Sequence, residues 1–116
     1  MKLLWLVMLA MAQSGGFRFD GPLGRVVTPN GDDRNDIAVF CFGNPSDSEV
    51  EGRILTLQGS EVARLSRSGN RPSCPDQSAF GQAMIWTPGR DLRGGVYVYQ
   101  LRSEGLTFTG TLLVVR

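Results

Sequence analysis

The residues best placed to do chemistry lie between Val27 and Asp36, where the chain reads Val-Thr-Pro-Asn-Gly-Asp-Asp-Arg-Asn-Asp. Oxygen-bearing side chains recur at Asn30, Asp32 and Asp36, and the Arg34 carbonyl falls between the last two. Alternate residues of a tight loop point to one centre, which is how a short segment wraps Ca²⁺, a hard ion that takes six to eight oxygens. The spacing is not that of an EF-hand, because Cys41 stands where that motif has its bidentate glutamate. The same residues also suit an Asx-rich turn that bonds its own backbone and starts a strand. Both readings remain open at this point. If an ion binds, so few carboxylates imply weak affinity, about 10⁻⁴–10⁻³ M, as in extracellular modules.

Other chemistry is narrowly bounded. The 116 residues contain no histidine, so Ser-His-Asp triads, Cys-His dyads and histidine-built metal sites are excluded. Asp32, Asp36, Asp91 and Glu104 are the carboxylates left for a small hydrolase, which would need a cleft that so short a sandwich seldom makes. Twelve basic against eleven acidic residues form no basic stripe, so nucleic acid is not an expected partner. Two cysteines remain. Cys41 lies in the run Ile37–Phe42 and is expected to face the core, while Cys74 lies in a Pro-Ser-rich loop. A Cys41–Cys74 disulfide is expected if the chain is exported.

Export is suggested by the first twelve residues. Lys2 precedes the apolar run Leu3–Ala12, which ends in Ala-Met-Ala and is followed by Gln13-Ser14. This is the pattern of a signal peptide cleaved before Gln13, and ten apolar residues are too few to span a bilayer as a helix. The expected organisation is a signal peptide at 1–12, an N-terminal segment at 13–24 and one β domain at 25–116. No membrane span is expected after cleavage, and the protein is placed in the periplasm, at the cell surface or outside the cell.

Turns and strands must position everything else. Fifteen glycines and six prolines cut the chain into short pieces, and no helical period is sustained after Ala12. Strands are expected at Arg25–Val27, Ile37–Phe42, Val50–Leu57, Glu61–Leu65, Gln82–Trp86, Val96–Ser103 and Leu106–Val115. Two of the turns, Gln58-Gly59-Ser60 and Glu104-Gly105, read as hairpins. About seven antiparallel strands at this spacing predict an all-β sandwich. Alternation nominates Ile37, Val39, Trp86, Tyr97, Tyr99, Leu101, Leu106, Phe108, Leu112 and Val114 for its core.

The segment from Thr28 to Asp36 resembles the Thr-Pro-Asn-Gly-Asp-Gly-x-Asn-Asp opening of bacterial C-terminal sorting domains. These belong to type 9 secretion and gliding motility, and are related to the Ig-like domain of flagellar hook-capping proteins. The similarity continues through Arg53–Ala63, Trp86–Asp91, Gly94–Leu101 and Gly110–Arg116, in the same order. It departs at Asp33, where the family has glycine, and at Thr87-Pro88-Gly89 after the tryptophan. The resemblance implies an Ig-like or fibronectin type III-like sandwich, with Trp86 buried between the sheets beside the Tyr97/Tyr99 strand. It implies an exported, non-enzymatic module whose partners are proteins of the cell envelope or the secretion machinery. The alternative it implies is a structural subunit that adds an edge strand to an assembly.

Overall fold

A computed structural model of the chain describes residues 16–31, 35–68 and 74–116. The expected leader and the expected cleavage site before Gln13 lie outside the described residues. Nine strands are described: β1 (Arg18–Pro22), β2 (Val26–Val27), β3 (Ala38–Gly43), β4 (Glu51–Leu55), β5 (Glu61–Leu65), β6 (Arg67–Ser68), β7 (Gly81–Trp86), β8 (Gly95–Ser103) and β9 (Leu106–Val114). They form a four-stranded sheet in the order β1-β3-β7-β6 and a five-stranded sheet in the order β2-β9-β8-β4-β5. The two sheets pack face to face around one apolar cluster, and the protein is all-β. Among the described residues no helix is long and apolar enough to cross a membrane.

Two features depart from the expected antiparallel set of seven. β1 lies in the segment assigned ahead of the sandwich, yet it pairs with β3 as an edge strand. Its Asp, Gly and Pro, and a register shift between Phe19 and Gly21, hide it from a search for alternating apolar residues. β2 then joins the other sheet and runs parallel to β9. The chain crosses from one sheet to the other between Leu23, whose N–H donates to the Val39 carbonyl, and Arg25, whose carbonyl accepts from Leu113 N–H. A chain that changes sheets without turning back arrives parallel, not antiparallel.

The β8–β9 hairpin is the longest ladder, with an unbroken register from Gly95↔Val114 to Ser103↔Leu106. Its turn residues Glu104 and Gly105 have φ of 53° and 74°, the left-handed pair that a two-residue hairpin turn requires. Alternation on this hairpin is right: Tyr97, Tyr99, Leu101, Leu112 and Val114 are buried. Gly110 sits opposite Tyr99, and a Cβ there would land on the tyrosine ring and hydroxyl, so glycine is what lets that ring lie flat across β9. Tyr99 in turn meets Phe40 and Phe19 with ring centroids 5.1 and 5.8 Å apart. Trp86 crosses between sheets to meet Tyr97 edge-on at 6.1 Å and is buried, as the resemblance implies. The Tyr97 hydroxyl donates to the Arg93 carbonyl at 2.7 Å, the polar partner a buried tyrosine needs.

Three core nominations need correction. On β3 it is Ala38, Phe40 and Phe42 that face the other sheet, whereas Val39 and Cys41 are buried on the opposite side with Cys74, Ala83 and Ile85. Ile37, expected in the core, is 38% exposed. The reason is that β3 is buried on both faces, so no polar residue marks which parity points inward. Leu106 has the inward parity but is 47% exposed, because the opposing sheet does not cover the hairpin tip. Phe108, two residues further in, is partly buried against the cluster.

Candidate functional site

The loop that follows β2 closes on itself through main-chain groups. Thr28 N–H donates to the Asn35 carbonyl at 2.7 Å, and Asn30 N–H donates to the Thr28 carbonyl at 2.8 Å. Gly31 and Asn35 take φ of 80° and 53°, and asparagine is one of the few side chains that tolerates this. The half-buried Asp36 carboxylate then accepts from the N–H groups of both Asn30 and Gly31 through Oδ1, each at 3.1 Å. Of the four residues expected to hold calcium, Asn30 and Asp36 are therefore brought together, and Asp32 and Arg34 lie outside the described residues. Among the described residues no group of three or more Asp, Glu, His or Cys side chains is arranged to hold a metal. These contacts of Asp36 close the loop: one carboxylate oxygen accepts from two amides five and six residues earlier, a longer reach than the bond two residues on that defines an Asx turn.

These bonds make a prediction. Asp36→Ala should destabilise the fold by about 1–2 kcal/mol in the presence of chelator, since bonds to a charged acceptor are lost. Thermal melting of variant and wild type checks this, and equal stability would contradict the loop-closing role. A rise in melting temperature with added calcium, abolished by Asp32→Ala, would mark ion binding at the same loop.

Arg116 ties this loop to its neighbour. Its guanidinium donates to the carbonyls of Leu92 at 2.9 Å, Pro29 at 3.5 Å and Gly89 by a short bond. The Gly89–Leu92 turn is itself closed by Leu92 N–H to the Gly89 carbonyl at 3.1 Å. Beside it an open cleft of about 300 Å³ is lined by Val62, Trp86, Gly89, Arg90, Asp91 and Leu92. That is the low end of the range for small-molecule sites, and this cleft is open to solvent. Sequence reasoning noted the terminal basic residue only through resemblance. Its acceptors are backbone carbonyls, which leave no mark in the sequence.

Glu104 lies at the other end of the sandwich. Nine-residue β8 separates it from Asp91, roughly 30 Å at 3.3 Å per residue. Its carboxylate accepts from the Ser48 hydroxyl at 2.6 Å and from Phe17 N–H at 3.3 Å, which joins the β3–β4 turn and the start of β1 to the hairpin. The same turn is organised by buried Asn44, whose side chain accepts from Ser48 N–H at 2.9 Å and donates to the Ser48 carbonyl at 2.8 Å. Asp36 and Asp91 sit at one end and Glu104 at the other, so Glu104 does not converge with either of them.

Cys41 and Cys74 form a disulfide with their Cα atoms 5.6 Å apart. It lies on the outer side of the four-stranded sheet, and Cys74 does not reach between the sheets as expected for a core-facing Cys41. The segment after Cys74 is fastened to that sheet by further bonds. Gln77 donates to the Cys74 carbonyl, Arg18 pairs with Asp76 at 3.2 Å, and Asn44 N–H donates to the Phe80 carbonyl. Hydrogen bonds from the Ser78 hydroxyl and amide, with a smaller contribution from Arg18, hold the Asp76 carboxyl below its ordinary pKa. A depressed folded-state pKa means that this fastening is intact above the ordinary carboxylate range and is lost as pH falls through the lowered value.

No family model, curated protein or solved structure matches this chain.

Proposed function

We propose that this chain is an exported, non-enzymatic Ig-like module that acts through protein contacts at the cell surface or outside the cell. The observation that carries the reading is the strand order. One sheet takes β1, β3, β7 and β6, the other takes β9, β8, β4 and β5, and the N-terminal stretch changes sheets to run parallel to the last strand as β2. The first four correspond in order to strands A, B, E and D of an Ig sandwich, and the next four to G, F, C and C′. The disulfide differs from the inter-sheet bridge of antibody domains, since it staples a loop to the outside of one sheet. Its presence favours an oxidising compartment, in keeping with the signal-peptide pattern of residues 1–12.

The order of the resembling motifs adds the finer reading, that of a type 9 secretion sorting domain. The Thr28–Asp36 loop and the C-terminal Arg116, two ends of that resemblance, meet at one end of the sandwich through the Arg116–Pro29 bond. A small hydrolase that pairs Glu104 with Asp36 or Asp91 is disfavoured by their separation along the sandwich. A structural subunit resembling the hook-cap domain is the second reading, favoured by β9, which among the described residues pairs on its second flank only with the two-residue β2. Secretion of a reporter carrying residues 13–116, compared between bacteria with and without a type 9 translocon, tests the proposal.

A further inference from the structure

A strand that lacks a neighbour presents a row of unpaired backbone donors and acceptors. β9 pairs with β8 along its whole length. On its other flank, Leu113 and Val115 donate N–H bonds to the carbonyls of Arg25 and Val27. Odd-numbered residues of β9 thus turn their backbone away from β8, and the unbroken register carries that parity to Thr111, Thr109 and Thr107. β2 covers only Leu113 and Val114. Among the described residues no strand covers the flank from Leu106 to Leu112.

The other edges are guarded. β1 carries Arg18, Asp20, Pro22 and a register shift. β5 carries Glu61 and Arg64 beside a register shift in its pairing with β4, and β6 is two residues long. Short length, charge, proline and bulges are the usual devices against strand addition. Leu106–Leu112 has none of them. Its sequence is Leu-Thr-Phe-Thr-Gly-Thr-Leu.

We propose that this flank is a self-association site that takes a second copy of the same chain, antiparallel, about a two-fold axis at Phe108. In that register Thr107 of each copy meets Thr109 of the other, and the two exchange backbone hydrogen bonds. Threonine pairs opposite each other on a sheet face are favourable, and a strand of this pattern is complementary to itself. An axis at Thr109 would set Gly105 against Leu113, where β2 already pairs. An axis at Thr107 would run the ladder off the hairpin turn. The Phe108 axis also brings together two partly buried rings, each already packed on Phe17 and Phe19 of its own copy. Exposed Leu106 then faces Gly110 of the other copy, where no side chain competes for space. Across the joint the outer face reads Glu51, Arg102, Thr107, then Thr109, Gln100 and Arg53 of the second copy, so no like charges meet.

Sedimentation of the purified protein should show a monomer–dimer equilibrium as concentration rises toward about 1 mM, a weak self-association. Thr109→Pro removes only an outward N–H, which an edge strand tolerates, and should weaken dimerisation at least about tenfold with the melting temperature unchanged. Thr109→Lys should do the same by charge, and decides the matter if the proline variant fails to fold. Mild oxidation of an equimolar mixture of Thr107→Cys and Thr109→Cys chains should give the mixed cross-link well beyond its share under random pairing, with little of either homodimer. A monomer at every concentration, a dimer indifferent to Thr109→Lys, or cross-links in the ratio of random pairing would overturn the proposal.

Discussion

Replacing both cysteines, Cys41→Ala with Cys74→Ala, is expected to lower stability by roughly 3–4 kcal/mol, on the chain-entropy cost of opening a loop of this length. The two are 33 residues apart, and both are buried in a small cluster with Val39, Ala83 and Ile85. The loss should have a location as well as a size. The segment from Cys74 to Phe80 would keep the Arg18–Asp76 pair and the Asn44–Phe80 bond, both weak alone. Hydrogen exchange should therefore rise first in β3 and β7 at Val39, Cys41 and Ala83, under the cover that the staple holds. The hairpin β8–β9, on the other sheet, should remain protected until global unfolding. Urea unfolding of oxidised and double-alanine protein measures the size. A change below about 1 kcal/mol would mean that the remaining loop contacts suffice.

The second large effect belongs to Trp86. It closes the core at the end where the Thr28–Asp36 and Gly89–Leu92 loops meet, pairing in register with Ala38 and contacting Tyr97 across the sandwich. Truncation to alanine leaves a cavity that neither sheet can collapse into, so Trp86→Ala should cost about 3–5 kcal/mol. It should also loosen the Arg93–Tyr97 contact, because the tyrosine ring loses its edge-on neighbour. Chemical denaturation gives the energy. In protein prepared to begin at Gln13, Trp86 is the only tryptophan, so its fluorescence reports burial directly. Emission already at the solvent-exposed limit in the native protein would contradict the packing described.

How much of this was legible in the sequence depended on whether a strand is buried on one face or two. Most outward positions of β8 and β9 carry polar residues, among them Gln100, Arg102 and three threonines, so alternation marks Tyr97, Tyr99, Leu101, Leu112 and Val114 as buried, which they are. β3 has no polar residue to break its run, so alternation does not mark which parity faces the other sheet. The expectation that Cys41 faces the inter-sheet core takes the outer parity for the inner one. β1 was missed because its Gly-Pro ending and half-exposed side chains are what protects an edge strand from aggregation, and such protection removes the strand signal. At the loop, the oxygen spacing of Asn30 and Asp36 was visible. That Asp36 binds the amides of Asn30 and Gly31 was not, since backbone partners have no residue type. The Arg116 bridge was hidden for the same reason.

The proposal that residues 13–116 form a secreted module of the sorting-domain kind is tested by a reporter placed between residues 1–12 and 13–116, expressed in a bacterium with a type 9 translocon and in a translocon-deficient strain. The expected result is that residues 1–12 are removed and that the reporter reaches the cell surface only when the translocon is present. The attached domain should carry the Cys41–Cys74 disulfide. A reporter retained in the periplasm of both strains would contradict the sorting role, and an intact Met1 in the membrane fraction would contradict export itself.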